Sequence, residues 1–214
     1  MPWTFSQDGL LREGNSIMLK NKKTEGFLVF NLGDKQPGLA ESYMVTTTKV
    51  NPGPVARSIF VIRKADGHNP YGKDDIIRYG QKVKFESSVY ACNKSLKLSS
   101  TIKGASLYSP VTRNQEVSMN SQDSFNATWI IEAVDPNCRL EMEGEPIKVG
   151  DNFLVKHCQT MTYLASDCNA YKNDFGSECE VMAHNFCILN KTQNLALEKK
   201  GNITVDVPTK FQLD

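Results

Sequence analysis

Three stretches decide the fold: Glu13-Gly14-Asn15-Ser16-Ile17-Met18-Leu19-Lys20-Asn21, Tyr79-Gly80-Gln81-Lys82-Val83-Lys84-Phe85-Glu86-Ser87 and Val149-Gly150-Asp151-Asn152-Phe153-Leu154-Val155-Lys156-His157. Each reads glycine, polar, polar, apolar, any, apolar, and the glycines stand 66 and 70 residues apart, close to a third of the 214-residue chain. Self-similarity at a fixed period of this kind marks a repeated structural unit. Each stretch is followed by a second short strand pattern, Phe27-Leu28-Val29-Phe30, Leu96-Lys97-Leu98-Ser99 and Tyr163-Leu164-Ala165-Ser166. Each repeat then closes on a further one: Ser58-Ile59-Phe60-Val61-Ile62, Thr128-Trp129-Ile130-Ile131-Glu132 and Asn202-Ile203-Thr204-Val205-Asp206-Val207.

Outside these stretches the apolar residues again come in short, often alternating groups bounded by Gly, Pro, Asn, Asp and Ser, and none sustains a helical stripe for three turns. Strands are predicted at 16–21, 26–32, 44–48, 57–63, 82–86, 95–99, 115–119, 128–133, 139–142, 152–156, 162–165, 180–184, 194–197 and 202–207, with 104–112 left as a long loop or an extra strand. The predicted fold is all-β, a β-trefoil of three repeats of about four strands each, approximately 10–66, 76–136 and 137–207, in a single domain spanning 1–214. Gly14, Gly80 and Gly150 supply the tight turn before each first strand. Phe60 and Trp129 take equivalent inward positions in the closing strands, where an aromatic belongs to the core. The polar segment 67–75 is too short to separate domains.

The composition agrees with a folded chain: hydrophobic residues are 40%, charged residues 23%, and 25 basic side chains face 24 acidic ones. A formal charge of +1 supplies no global field for nucleic acid or acidic lipid. No nucleic-acid or membrane partner is expected, and no window reaches the ~18 apolar residues that span a bilayer. The N-terminus, Met1-Pro2-Trp3-Thr4-Phe5-Ser6-Gln7-Asp8, carries neither a basic leader nor an apolar run. The cytoplasm is therefore the expected compartment, and Cys92, Cys138, Cys158, Cys168, Cys179 and Cys187 read as reduced thiols. In that compartment the sequons at Asn93, Asn126, Asn190 and Asn202 carry no meaning.

The middle of the chain resembles the MIR branch of the β-trefoils, on Ile77-Arg78-Tyr79-Gly80-Gln81-Lys82-Val83, Leu96-Lys97-Leu98-Ser99, Gln115-Glu116-Val117-Ser118 and Trp129, with echoes at 150–157 and Glu180-Val181. Within that branch, residues 77–186 resemble the cilia- and flagella-associated protein 161 family of microtubule inner proteins. The runs that carry this are Arg78-Tyr79-Gly80-Gln81, Leu140-Glu141-Met142-Glu143-Gly144-Glu145-Pro146, His157-Cys158 and Phe175-Gly176-Ser177-Glu178-Cys179-Glu180-Val181-Met182-Ala183-His184. Weaker likeness continues through 14–32 and 56–62. The resemblance implies a non-catalytic protein of the cytoskeleton, fixed in the lumen of axonemal doublet microtubules of a cilium or flagellum, with the A tubule favoured. Its implied partners are α- and β-tubulin and neighbouring microtubule inner proteins, and its implied contribution is to doublet stability and motility. The chain departs from the family in being shorter at both ends than the animal members, and in an aromatic of the third repeat replaced near Leu195 or Leu197.

His157, Cys158, Cys168, Cys179, His184 and Cys187 fall within one short span, but zinc sites bring ligands in close pairs, and only His184 with Cys187 has that spacing. Adjacent His157 and Cys158 point to opposite faces of a strand, leaving Cys158 with His184 as the one conceivable thiol pair. No phosphate loop, G-x-S-x-G or H-E-x-x-H occurs. No enzyme, metal or cofactor is expected. Glu141, Glu143 and Glu145 alternate, so an extended chain would align them on one face, as a stripe for a cation or basic partner or as a solvated strand edge. Lys20, Lys22 and Lys23 at the first hairpin tip, with Arg63 and Lys64 after the first closing strand, are the candidate contacts to an acidic partner such as tubulin. The alternative function is a soluble MIR- or lectin-like trefoil that binds a sugar, an inositol phosphate or a protein loop between repeats.

Overall fold

The computed structural model describes residues 8–37, 41–65, 71, 74–102, 104, 107–185 and 211–213. The described strands are β1 (Ser16–Ile17), β2 (Leu19–Asn21), β3 (Phe27–Lys35), β4 (Ser42–Thr48), β5 (Phe60–Lys64), β6 (Lys82–Ser87), β7 (Lys97–Ser99), β8 (Gln115–Glu116), β9 (Ser118–Asn120), β10 (Trp129–Ala133), β11 (Asn152–His157), β12 (Tyr163–Asn173), β13 (Gly176–His184) and β14 (Phe211–Leu213). All pairings among the described residues are antiparallel, and β6 buries the alternate residues Val83, Phe85 and Ser87, whereas Met18 and Leu154 are buried along with their neighbours in the first strands of the other two repeats.

The fold is a MIR-like β-trefoil. Its barrel closes in a ring: β1 pairs β5, β5 pairs β6, β6 pairs β10, β10 pairs β11, β11 pairs β14, and β14 returns to β2, the continuation of β1. Closure of this kind leaves no barrel edge to pair with another chain. The hairpins β3–β4, β7–β9 and β12–β13 cap one end, where β4 joins both β9 and β13 and β13 joins β8.

At the other end the three glycine segments interlock around the pseudo-threefold axis. Leu11 N donates to Ile147 O at 2.8 Å, Ile77 N to Leu11 O at 2.8 Å and Ile147 N to Ile77 O at 3.0 Å, and all three side chains are buried. A second ring runs in the opposite sense, Glu13 N to Asp75 O, Tyr79 N to Glu145 O and Val149 N to Gly9 O, at 2.7, 3.0 and 2.8 Å. Just beyond, Asn15, Gln81 and Asp151 accept from the amides of Arg12, Arg78 and Lys148 at 2.8, 3.1 and 3.0 Å. The side chains differ while the oxygen acceptor recurs. Between ring and strand the chain must turn through the left-handed region, where Gly14, Gly80 and Gly150 sit at φ +83°, +79° and +91°.

The closing strands share one register. Phe60 faces Ile17 and Ser87, and Trp129 faces Val83 and His157. Phe211 faces Phe153 and Asn21, which occupy the corresponding positions of their strands. Phe60 and Trp129 are fully buried. The Trp129 indole donates to Leu98 O at 2.8 Å, and Phe60 meets Phe30 edge-on at 5.8 Å between centroids. Burial of one such aromatic is worth about 3 kcal/mol, with up to ~1.5 kcal/mol more from ring geometry.

Several expectations change. Residues 139–142 form not a strand but one α-helical turn, α1 (Arg139–Met142). Asp135 starts the preceding 3-10 turn by accepting from Asn137 N at 2.9 Å, Pro136 fixes its first φ, and Arg139 Nε ties back to Ala133 O at 3.1 Å. The aligned stripe of Glu141, Glu143 and Glu145 therefore does not exist, because Glu141 lies in α1 and Gly144 turns the chain at φ +88°. The predicted strand 115–119 is broken at Val117 into β8 and β9, and the described part of 104–112 holds a turn and no strand. The expected strands 194–197 and 202–207, and the position near Leu195 or Leu197, lie outside the described residues. The strand that links β11 to β2 is 211–213, so the third repeat runs past 207, and Phe211 holds the register position of the other two aromatics.

Candidate functional site

Two of the sequence runs that carry the family resemblance meet at the axial end of the barrel. Arg78 Nη1 donates to Gly144 O at 3.0 Å, Gly144 N to Tyr79 O at 3.0 Å, and Arg78 pairs across to Pro146. Tyr71 closes over the junction, donating to Glu143 Oε1 at 3.1 Å, while Arg78 Nη2 holds Asp74 at 2.6 Å and keeps its carboxyl below the usual range. Tyr79 is buried beside Asp151, and desolvation with that neighbouring charge pushes its phenol up to about 12. A Cβ at Gly80 would stand 2.7 Å from Glu143 Cγ and 3.0 Å from the Tyr71 hydroxyl, so this glycine is required by contact as well as by φ. The uncommon dipeptides here join the second repeat to the third.

The run 175–184 does the corresponding work in the hairpin cap. Glu178, 3% exposed, accepts from Thr46 Oγ1 at 2.6 Å and Asn173 Nδ2 at 2.7 Å, and it binds Arg57, which lies 3.7 Å beneath the Phe175 ring. Glu180 accepts from the amides of Val111 and Thr112 at 2.7 and 3.2 Å, so one carboxylate anchors a turn of the second repeat to β13. Glu116 accepts from Thr101 N at 2.7 Å, and burial pushes its carboxyl up. Tyr171 donates to Asp34 at 2.7 Å, fastening the same long hairpin to β3. The Glu-Cys-Glu alternation that places Glu178 and Glu180 on one strand face was visible in the sequence. Arg57, the partner of Glu178 some 120 residues away in the chain, carried no signal.

The five basic residues singled out from the sequence fall into two groups that the fold does not unite. Lys20 pairs Glu25 at 2.7 Å and lies over Phe27, Lys23 reaches Asp167 at 3.3 Å, and Lys22 is half-buried between them in sequence. Lys64 is largely enclosed. Its side chain is 9% exposed, and its ammonium binds Asp74 O at 2.5 Å to hold the connection into the second repeat. Arg63 remains exposed, with Nε 3.6 Å from Glu86. It sits at one end of a cleft of about 510 Å³, whose floor is Val61, Glu86 and Ser87 on β5 and β6 and whose wall is the loop after β6, with Val89 and residues 92–95.

The histidine and cysteine span forms no metal centre among the described residues. His157 is fully buried in a satisfied network: Nε2 meets Asn126 O at 2.9 Å and Nδ1 meets Thr160 Oγ1 at 2.8 Å, with the Trp129 ring 4.9 Å away. The carbonyl fixes the proton on Nε2, and burial lowers the imidazole's tendency to charge. Cys187 and Phe186 lie outside the described residues, and no helix of the described chain is long and apolar enough to cross a membrane.

Comparison with solved structures agrees on architecture. The chain superposes on the SDF2-like protein from Arabidopsis thaliana, a MIR-domain β-trefoil, with a TM-score of 0.65 at 19% identity, over 96% of this chain and 94% of that one. A Caenorhabditis elegans protein of unknown function matches at TM-score 0.67 and 14% identity, over 98% of both chains. In sequence, the Cilia- and flagella-associated protein 161 of Danio rerio is 29% identical over 212 residues, 89% of this chain and 67% of that protein. The Bos taurus and Mus musculus proteins of the same name are 29% and 30% identical, and the chain spans 62% and 46% of their lengths. The profile of the Cilia- and flagella-associated protein 161-like domain matches residues 35–196, which include the axial junction at Arg78 and Gly144 and the buried glutamates of β13. The chain belongs to the cilia- and flagella-associated protein 161 family.

Proposed function

We propose that this protein is a non-catalytic structural component of the cilium or flagellum, a microtubule inner protein on the lumenal wall of axonemal doublets, in the A tubule. Tubulin and neighbouring inner proteins are its partners, and its contribution is to the stability of the doublet and so to motility. The observation that carries the reading is the family match over 35–196, whose named relatives are cilia- and flagella-associated. The structure is compatible with such a role: the most family-like runs are spent on locking repeats together. The return of 211–213 onto β2 supports reading 1–214 as one domain. A lattice that offers several adjacent sites raises the effective concentration of each contact, so modest individual affinities suffice.

The test is to tag the protein in a ciliated cell and extract axonemes with rising salt. Retention in salt-resistant doublets is the expected result, and release with the membrane-matrix fraction overturns the proposal. The alternative of a sugar- or inositol-phosphate-binding trefoil draws less support, since the cleft lining holds no aromatic and only Arg63 and Lys94 as cations.

A further inference from the structure

We infer that the cleft between β5–β6 and the loop after β6 is the docking site for an extended acidic segment of a protein partner, a carboxylate side chain next to an aliphatic one. The inference rests on the partner-binding reading above and names the chemistry of one contact.

The cleft is built rather than incidental. Its outer loop is pinned along its length: Ala91 N donates to Ser88 O at 2.9 Å, Tyr90 N to Ser88 Oγ at 3.3 Å, the Cys92 thiol to Lys94 O at 2.7 Å, and Leu96 N to Ser87 Oγ at 3.0 Å. Lys94 reaches across to the first repeat, where Glu41 holds its ammonium at 2.6 Å and Ser121 holds the other Glu41 oxygen at 2.7 Å. A wall tied at both ends keeps its shape without a ligand, which lowers the entropic cost of binding. Yet this fixed loop presents Val89 at 81% and Tyr90 at 68% exposure. Val61 continues the apolar lining across the floor.

The charges choose the occupant. Arg63 is half exposed, and its one carboxylate neighbour among the described residues, Glu86, stands 3.6 Å from Nε, beyond a hydrogen bond, while Glu86 is shared with Lys97 at 4.0 Å. Nη1 lies over Gly14, and the half-exposed guanidinium as a whole lines the cleft, a planar fork suited to a carboxylate. Lys94 is already held by Glu41, so Arg63 is the one lining cation without a direct hydrogen bond to a carboxylate among the described residues. A phosphate cluster would need more. The lining supplies no aromatic platform for a sugar, whereas Ser87, Asn93 and Ser95 give short polar groups suited to a peptide backbone.

The test uses the full chain and a fluorescein-labelled peptide, Gly-Glu-Val-Glu-Glu-Leu-Gly, with its all-glutamine counterpart, read by fluorescence anisotropy. Wild type should bind the acidic peptide saturably and about tenfold more tightly than the glutamine one, with weakening between about 50 mM and about 200 mM salt. Arg63→Glu should cost about tenfold or more, and Val89→Asp should weaken binding with the melting temperature unchanged, since both side chains are exposed. Lys23→Glu, outside the cleft, should bind as wild type. No wild-type binding, or equal affinity for Arg63→Glu, overturns the proposal. Retention in axonemes separates it from the broader reading. If wild type is retained on salt-washed doublets and Arg63→Glu binds the peptide as tightly as wild type, the cleft is not the docking site and the structural reading stands. If wild type washes off, the structural reading falls and the peptide titration alone decides the cleft.

Discussion

The two ends of the barrel hold three repeats together by different means. At the axial end the locks are backbone hydrogen bonds repeated nearly identically at Leu11, Ile77 and Ile147 and again at Glu13, Tyr79 and Val149. In the hairpin cap the locks are buried side chains, each used once: Glu178 with Arg57 and Thr46, Glu180 with the turn at Val111 and Thr112, Tyr171 with Asp34. Backbone groups are the same in every repeat, so a symmetric lock needs only glycine and an acceptor at the right spacing. Side-chain locks need particular partners, and those can be specific to one pair of repeats. The backbone locks explain why the period survives in the sequence, and the side-chain locks, those of the cap and those of Arg78 at the axial end, why the family-specific runs do not repeat.

The largest expected effect is in the barrel. Trp129→Ala removes a fully buried indole and leaves Leu98 O without its donor, at a cost of about 4 kcal/mol, read as a drop in the urea midpoint. Next comes the cap: Glu178→Ala strands the Arg57 guanidinium, 17% exposed, together with Thr46 and Asn173, for about 2 to 3 kcal/mol after allowance for that partial exposure. If Glu178→Ala proved as mild as a surface substitution, the cap would not be locked by side chains and the contrast would fail. Gly80→Ala should cost about 2 kcal/mol, from positive φ plus a Cβ 2.7 Å from Glu143 Cγ. Gly14→Ala, at the equivalent position with a matched φ of +83° and only an ordinary 3.4 Å contact to Arg63 Nη1, should cost about 1 kcal/mol, so the difference between the two isolates the contact.

The smallest effect is a pH slope at the junction of barrel and cap. Burial holds the folded His157 pKa below its unfolded value of about 6.5, so acidification protonates the unfolded chain first. The stability this group contributes is present above about pH 6.5 and is lost as pH falls from there toward the folded pKa, with a slope of at most ~1.4 kcal/mol per pH unit. Glu116 works the other way: its folded pKa is raised, so its contribution is fully present below about pH 4.5 and is lost as pH rises toward the folded value. Chemical denaturation across pH 4.5 to 7.5, about the span of these two groups, checks both, with His157→Gln expected to flatten the upper part and Glu116→Gln the lower.

Much of this was legible in the residues. Gly14, Gly80 and Gly150, the first strand of each repeat, and the inward places of Phe60 and Trp129 follow from period and alternation, because barrel geometry demands both. Residues 139–142 misled because Arg139-Leu140-Glu141-Met142 alternates like a strand, while the deciding feature, the Asp135-Pro136 turn, precedes it. The setting of Lys64 was not legible, because a lysine after a strand reads as solvated and only the fold brings Asp74 O to its ammonium. The Arg63 cleft was half visible, since the sequence named the arginine but not the exposed Val89 opposite.

The sequence by itself determined the trefoil, its threefold spacing and its family, because these depend on local turn chemistry and on residue order, both of which are written along the chain. The tertiary structure alone decided which charges are spent and which are free. Arg57 and Glu178, Lys64 and Asp74, and Lys94 and Glu41 meet through closure of the barrel and its cap, and whether a cation finds a carboxylate depends on distances in space that one-dimensional spacing does not encode.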